Sequence, residues 1–336
     1  VRLSAKPFDF DILAGENWFK IRSSIITFLG SIMRHVISVH DLSVEQIKDV
    51  LDRAEGMLPI SRGEAVNDCL RGKVLGSIFF EPSTRTRLSF ETAMNRLGGG
   101  VIGFAGTEAT SVVKGETLAD TIRMVSGYAD AVVLRHPREG AAKLATEFSG
   151  VPILNAGDGA GQHPTQTLLD LFTIRQEMGR LEGLNISLVG DLRYGRTVHS
   201  LAFALSKFGN TINLVSPEGL EMPGEVVEHL EASGQFGTAC HTPEKVIADT
   251  DILYVTRIQK ERFPDPVEYE KVAGKYRIDP ELVSQGPDSM IVMHPLPRIN
   301  EIVPEVDAMP QAKYFTQAFN GVPVRMALLS MVIGGA

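Results

Sequence analysis

The sequence predicts an α/β fold of two similar domains, each a parallel sheet flanked by helices, with a C-terminal helix returning to the first domain. Two observations carry that prediction. Short apolar runs alternate with amphipathic helical patterns at the spacing of βαβ units, which argues for parallel strands covered on both faces. The alternation breaks near residues 165–180 and then starts again, so the 336 residues divide into two series of ordinary domain size.

In chain order, Ser43-Val44-Glu45-Gln46 reads as a capping box, and Ile47, Val50, Leu51 and Ala54 form the apolar stripe of the helix behind it. Residues 73–80 (KVLGSIFF) are a short apolar run ending in Glu-Pro, the mark of a buried strand. Similar runs follow at 101–104, 131–134 and 151–154, with a helical pattern over 117–128 that puts Leu118, Ile122 and Val125 on one side. Residues 165–178 (TQTLLDLFTIRQEM) predict a long helix closed by Gly179, and Gly183 precedes the next strand. The second series places strands at 185–190, 211–215, 251–255 and 290–293. An apolar terminal helix spans 324–333, and its pattern alone does not choose a docking partner. The expected division is therefore an extension over 1–34, a first domain over 35–180, a second over 181–319, and a C-terminal helix over 320–336 that packs on the first. No fixed-period repeat stands out.

Composition narrows the function classes. An apolar fraction of 43% with 22% charged residues reads as soluble and globular, and a formal charge of -8 gives no bulk attraction to nucleic acid or acidic membrane. No run of about 18 apolar residues is present, so no membrane span is expected. Cys69 and Cys240 stand far apart without metal-ligand spacing, which suits structural thiols in a reducing compartment, the cytoplasm. Residues 19–34 are apolar with a few basic side chains, as in an amphipathic targeting or interface helix, but Asp9, Asp11 and Glu16 precede them and argue against a presequence. The opening Val1, in place of a methionine, reads as processing or trimming.

Chemistry concentrates where predicted strands end. Glu81-Pro82-Ser83-Thr84-Arg85-Thr86-Arg87 follows a strand and opens a helix; its free amides, hydroxyls and guanidinium forks suit an anion such as phosphate. It lacks the spacing of a nucleotide-binding P-loop, and no dinucleotide fingerprint follows a predicted first strand. The local alternative is an N-cap with solvated arginines. Arg135-His136-Pro137 ends another strand, where ligands of open α/β sheets sit, although a surface arginine satisfies the same pattern. After the turn Asn155–Gln162, His163 and Gln166 fall three apart on one helical face; the imidazole can donate to a polarised carbonyl and the amide can recognise a carbamoyl NH₂. A capped loop is the plain alternative there, and no second histidine at ligand spacing supports a metal.

The second series carries Arg196, Arg257 and Gln259. The last two are two apart, so extended backbone points both the same way, and two arginines with a glutamine suit a small molecule with two carboxylates. A solvated, salt-bridged surface is the competing reading, and the better one for Lys260, Glu261 and Arg262. In His294-Pro295-Leu296-Pro297-Arg298 the prolines remove two donors and stiffen the loop, leaving the Leu296 carbonyl as a fixed acceptor or the whole as a rigid turn. No hydroxyl–histidine–carboxylate triad is evident, and none is needed if the nucleophile belongs to a substrate.

Taken in order, 83–87 (STRTR), 114–117 (KGET), 135–137 (RHP), 163–166 (HPTQ), 195–197 (GRT) and 294–298 (HPLPR) resemble the aspartate and ornithine carbamoyltransferase family. The resemblance runs from about His35 to Gly334 and leaves residues 1–34 uncovered. It implies a homotrimer with active sites shared between adjacent chains. Ser83, Thr84, Arg85, Thr86 and Arg135 would hold the phosphate of carbamoyl phosphate, and Thr86, Arg135 and His163 its carbonyl oxygen. Gln166 and the carbonyls of Leu296 and Pro297 would fix its amino group, with a cis bond expected between Leu296 and Pro297. Lys114, on a loop from about Thr110 and Ser111, would enter the neighbouring chain's site and touch both substrates. The family often has serine where Thr110 stands; the hydroxyl is kept.

Arg196, Arg257, Gln259 and Lys114 would bind the carboxylates of L-aspartate, and residues 263–274 resemble a loop that closes over substrate. The ornithine branch typically carries His-Cys-Leu-Pro where this chain has Pro295, and Arg257 attracts a carboxylate and repels an ammonium, so the aspartate branch matches. No metal or organic cofactor is required by that chemistry. Residues 135–149 also resemble bacterial enzymes that assemble with separate regulatory chains, which suggests a partner near Glu139. The readings in competition are a carbamoyltransferase acting on ornithine, a non-catalytic allosteric or assembly subunit, and a binding module for phosphate or dicarboxylate.

Overall fold

The computed structural model of the chain describes residues 33–108, 110–258 and 276–334. Helix α1 (Val44–Arg62) begins with the expected capping box: the Ser43 hydroxyl accepts from the Gln46 amide at 3.2 Å, and the Gln46 side chain accepts from the Ser43 amide at 2.9 Å. Gly63 closes the helix in the left-handed conformation. The apolar stripe is buried, with Ile47, Val50, Leu51 and Ala54 all fully enclosed.

The first series folds as expected. Strands β1 (Val74–Phe79), β2 (Gly100–Ala105), β3 (Ala131–His136) and β4 (Ile153–Asp158) form a parallel sheet of order β2-β1-β3-β4. Helices α2 (Thr84–Arg96), α3 (Leu118–Ser126) and α4 (Ala141–Phe148) make the crossovers. Strand β4 runs on through Asn155 to Asp158, beyond the expected end at Leu154, because Asn155 is held by the Ile37 carbonyl and Asp158 and every β4 residue is buried.

Helix α5 (Pro164–Met178) leads out of this sheet and ends at Gly179 in the left-handed conformation. The second sheet has the order β7-β6-β5-β8-β9, again parallel, from β5 (Asn185–Val189), β6 (Thr211–Val215), β7 (Phe236–Cys240), β8 (Ile252–Val255) and β9 (Ile291–Met293). Helices α6 (Arg196–Ser206), α7 (Gly224–Ala232) and the short α8 (Pro280–Val283) accompany it. Strand β7 is not among the strands expected from sequence. It is an edge strand with Gly237 inside it and only Cys240 buried, so it lacks the apolar run that marks its neighbours.

The C-terminal helix α9 (Tyr314–Ile333) packs on α1, α2 and α5, the helices of the first series, as anticipated. It starts earlier than the apolar run, because Gln317 and Asn320 are buried with partners: Asn320 donates to the Thr173 hydroxyl at 3.0 Å. No helix among the described residues is long and apolar enough to cross a membrane. Of the extension expected over 1–34, only Met33 and Arg34 lie among the described residues.

Removing the Ser43 hydroxyl deletes the cap of α1. Ser43→Ala should lower stability by about 1 kcal/mol, read as a lower denaturant midpoint.

Candidate active site

In each sheet the strand order reverses beside the first strand, between β1 and β3 in one and between β5 and β8 in the other. A ligand of such a sheet sits beyond the carboxyl ends at that point. Both reversal points open on the same cleft, of about 700 Å³. Its walls include Glu81 and Ser83–Thr86 after β1, Arg135 on β3, His163 and Gln166 after β4, Arg196 and Thr197 after β5, Thr256 and Arg257 after β8, and 294–297 after β9. That volume suits a small molecule or two.

Helices α2, α5 and α6 start at this cleft with Ser83, His163 and Gly195 as N-caps. None of the three caps is closed by a side-chain hydrogen bond, and no first turn contains an acid. Unclosed amides and the positive helix ends therefore add to the arginines rather than being neutralised by carboxylates. The field is felt by its members. Desolvation and the Arg257 charge hold Arg85 below the usual arginine value. His163 is only 5% exposed; burial first, then Arg196, Arg135 and Arg325, hold its imidazole well below the ordinary 6.5, so it stays neutral. Its Nδ1 is buried with no hydrogen-bond partner among the described residues.

Among the described residues, Glu81 is the one acid on the cleft wall. Its carboxylate meets Arg135 at 2.7 Å and lies 4.0 Å from Arg196, tying a first-sheet arginine to a second-sheet one. Arg135 also donates to the Ala156 carbonyl at 2.9 Å, and Arg196 to the Gly159 carbonyl. Both guanidinium groups lie against Gly157, where an added Cβ would stand 2.8 Å from each. With φ at +115° as well, this position suits glycine alone.

The loop after β9 is fixed from below. His294 Nδ1 accepts from the Leu296 amide at 2.8 Å while Nε2 donates to Glu301 at 2.7 Å, so one tautomer serves both bonds. The Leu296–Pro297 peptide is cis, as expected.

The structure thus brings together Ser83, Thr84, Arg85, Thr86, Arg135, His163, Gln166, Arg196, Arg257, Leu296 and Pro297. Arg87 of the same motif turns away to Glu91, 3.7 Å off. Thr110, Ser111 and Lys114 stand on a separate loop after β2 and do not line this cleft; Ser111 and Lys114 are exposed. Gln259, the run 260–262 and the loop 263–274 lie outside the described residues.

Sequence reasoning gave no role to Glu81 and missed Arg325, Gln317 and Asp170. Arg325 is 3% exposed, donates to Thr165 at 3.2 Å, and is pushed down to about 9 by burial. A lone Arg in the apolar run 322–333, and a lone Asp in 167–174, were the available signals.

A two-sheet α/β protein with a cationic cleft at both switch points is built to take a small anionic ligand. Its relatives specify the family. The profile of the aspartate/ornithine carbamoyltransferase carbamoyl-P binding domain matches residues 34–176, and that of the aspartate/ornithine carbamoyltransferase Asp/Orn binding domain matches 182–332. The chain belongs to the aspartate/ornithine carbamoyltransferase family. It is 59% identical over 301 residues to the aspartate carbamoyltransferase catalytic subunit of Archaeoglobus fulgidus, covering 90% of this chain and 99% of that one. The counterpart from Methanococcoides burtonii is 58% identical over 300 residues, 89% and 97% of the two chains. The M. jannaschii aspartate transcarbamoylase catalytic subunit superposes with a TM-score of 0.84 at 55% identity, over 90% and 98% of the chains. The Trypanosoma cruzi aspartate transcarbamoylase, in complex with carbamoyl phosphate and aspartate, gives 0.83 at 42% identity, over 89% and 97%.

The depressed His163 value has a thermodynamic consequence. As pH falls through 6.5, the unfolded chain takes up a proton that the folded chain refuses, so folded stability declines. His163→Gln removes this contribution. Between about pH 7 and pH 5 the variant's denaturation midpoint should fall less steeply than that of the unaltered chain.

Proposed function

We propose that the chain transfers the carbamoyl group of carbamoyl phosphate to the amine of L-aspartate, giving N-carbamoyl-L-aspartate and phosphate, the committed step of de novo pyrimidine biosynthesis. One observation carries this reading. A single cleft joins an anion seat at the start of α2, with Arg135 beside it, to a second pair of arginines, Arg196 and Arg257, with the neutral His163 also on its wall. The T. cruzi relative binds the two substrates this arrangement suits.

In this reading Ser83, Thr84, Arg85, Thr86 and Arg135 hold the phosphate. Arg196 and Arg257, joined by Gln259 and Lys114, hold the two carboxylates of aspartate. Gln166 and the carbonyls of Leu296 and Pro297 take the carbamoyl N–H groups. The neutral amine of aspartate attacks the carbamoyl carbon, and negative charge builds on the carbonyl oxygen. Thr86, Arg135 and His163 stabilise that charge. A neutral imidazole donates a hydrogen bond there without giving up its proton, as a depressed value favours. The tetrahedral species collapses with cleavage of the C–O bond, and the departing phosphate takes the amine proton. Losing one such donor costs about 3 kcal/mol. Proximity and orientation supply the remainder.

Residues 35–180 then serve as the carbamoyl-phosphate domain and 181–319 as the aspartate domain. The exposed position of Lys114, outside its own chain's cleft, supports a homotrimer in which it enters a neighbour's site. Separate regulatory chains near Glu139, and a cytoplasmic setting, complete the proposal.

Purified protein should form carbamoyl-aspartate and give no product with ornithine; failure with aspartate would sink the reading. Arg257→Ala should raise the KM for aspartate by roughly tenfold to a hundredfold, since hydrogen bonds between charged groups contribute about 1.5–3 kcal/mol. Its effect on the KM for carbamoyl phosphate should be small by comparison. Lys114→Ala and His163→Ala chains, each nearly inactive, should recover activity when dissociated and reassembled together, because one interface then carries both intact residues.

A further inference from the structure

Beneath the cleft lies a buried carboxylate that the mechanism does not use. Asp170, on α5, is fully buried. Its Oδ1 accepts from Gln166 Nε2 at 2.9 Å and from Gln317 Nε2 at 2.7 Å, while Oδ2 accepts from the Tyr254 hydroxyl at 2.8 Å. Gln317 in turn accepts, through Oε1, from the His294 backbone amide at 2.8 Å.

The polarity of this chain of bonds is dictated from one end. A backbone N–H can only donate, so Gln317 must present its oxygen to His294 and its NH₂ to Asp170. Oδ1 is then obliged to accept, and Gln166, sharing Oδ1, must give it an N–H as well. The carbonyl oxygen of Gln166 is thereby reserved for the cleft that Gln166 lines. We infer that Asp170 and Gln317 are positioning residues that fix Gln166 as a hydrogen-bond acceptor, and so make the site select an acyl phosphate whose carbonyl carries NH₂ over one that carries CH₃. This deepens the proposed function and rests on it.

The device works in either charge state. Burial raises Asp170 to about 7, against the lowering effect of Gln317, Tyr254 and Gln166. Once two N–H groups occupy Oδ1, an added proton goes to Oδ2, and the Tyr254 hydroxyl turns to accept it. Gln166 keeps its orientation throughout. Arg325 and Tyr254 are the other ionisable groups that act on Asp170, and both are buried.

Two isosteric changes separate positioning from mere support. Asp170→Asn reproduces the protonated acid: the new amide keeps its oxygen at the Oδ1 place, its NH₂ donates to Tyr254, and Gln166 does not turn. The double variant Asp170→Asn, Gln317→Glu reverses the two bonds made at the Oδ1 place and leaves those from the His294 amide and the Tyr254 hydroxyl in their direction. The introduced carboxylate then accepts from the His294 amide and from the NH₂ of the introduced asparagine. That NH₂ also donates to Gln166, and Gln166 turns its own NH₂ to the cleft. The readouts are the KM for carbamoyl phosphate and the inhibition constant of acetyl phosphate against it. Asp170→Asn should leave their ratio unchanged. The double variant should raise the KM about tenfold, the loss of one hydrogen bond of about 1.4 kcal/mol, with the acetyl phosphate constant held. Asp170→Leu, which frees the amide, should move the ratio the same way by less, and stands in if the double variant does not fold. Parallel shifts of both constants, or loss of selectivity in Asp170→Asn, would overturn the inference. Absence of turnover in the unaltered chain would instead sink the functional reading.

Discussion

Repulsion among like charges is the constraint under which this site is built. Arg85, Arg135, Arg196, Arg257 and Arg325 converge on one cleft, together with the positive ends of α2, α5 and α6. Against them stand Glu81 on the wall and the buried Asp170 below it. Such a cluster does not hold itself together; it is held by rigid elements whose cores lie elsewhere. Parallel strands point their carboxyl ends one way, so two sheets joined through α5 can aim every such end into a shared space. Helix α5 contacts β4 and α6, and thereby connects one series to the next. The positive field is what an incoming phosphate and dicarboxylate would neutralise, and it already helps to keep His163 neutral.

Glu81 occupies a particular place in that balance. It faces Arg135 from the first sheet and Arg196 from the second, so part of the attraction between the halves runs through a single carboxylate. Because Arg135 and Arg196 also bind backbone carbonyls beside Gly157, their positions do not depend on Glu81 alone. A bound anion would thus meet guanidinium groups already in place.

Much of this was legible in the sequence. Strands of a parallel sheet buried on both faces read as apolar runs, and the runs at 73–80, 131–134 and 211–215 coincide with β1, β3 and β6 almost residue for residue. Hydroxyls and arginines directly after such runs then had to lie at strand ends, which is why Ser83, Thr86, Arg135 and Arg257 could be placed from sequence alone. What stayed hidden follows from long-range geometry. β7 is exposed and interrupted by glycine, so it has no apolar signature. Asp170, Tyr254 and Gln317 are single polar groups on three separate elements, and no local pattern announces that they meet. The start of α9 was obscured because its first turns bury the amides of Gln317 and Asn320 beside Tyr314, with no continuous apolar run.

The path of α9 bears on how the polypeptide is made. The apolar flanks of α1, α2 and α5 are covered by a segment that follows every described strand in the chain. During vectorial synthesis those flanks must wait, open to water, while the whole second sheet emerges. The first-made helices are thus among the last to be covered, so order of appearance at the ribosome and order of completion are opposed. Through that interval a nascent chain offers the apolar surface that chaperones grasp, and that neighbouring chains adhere to.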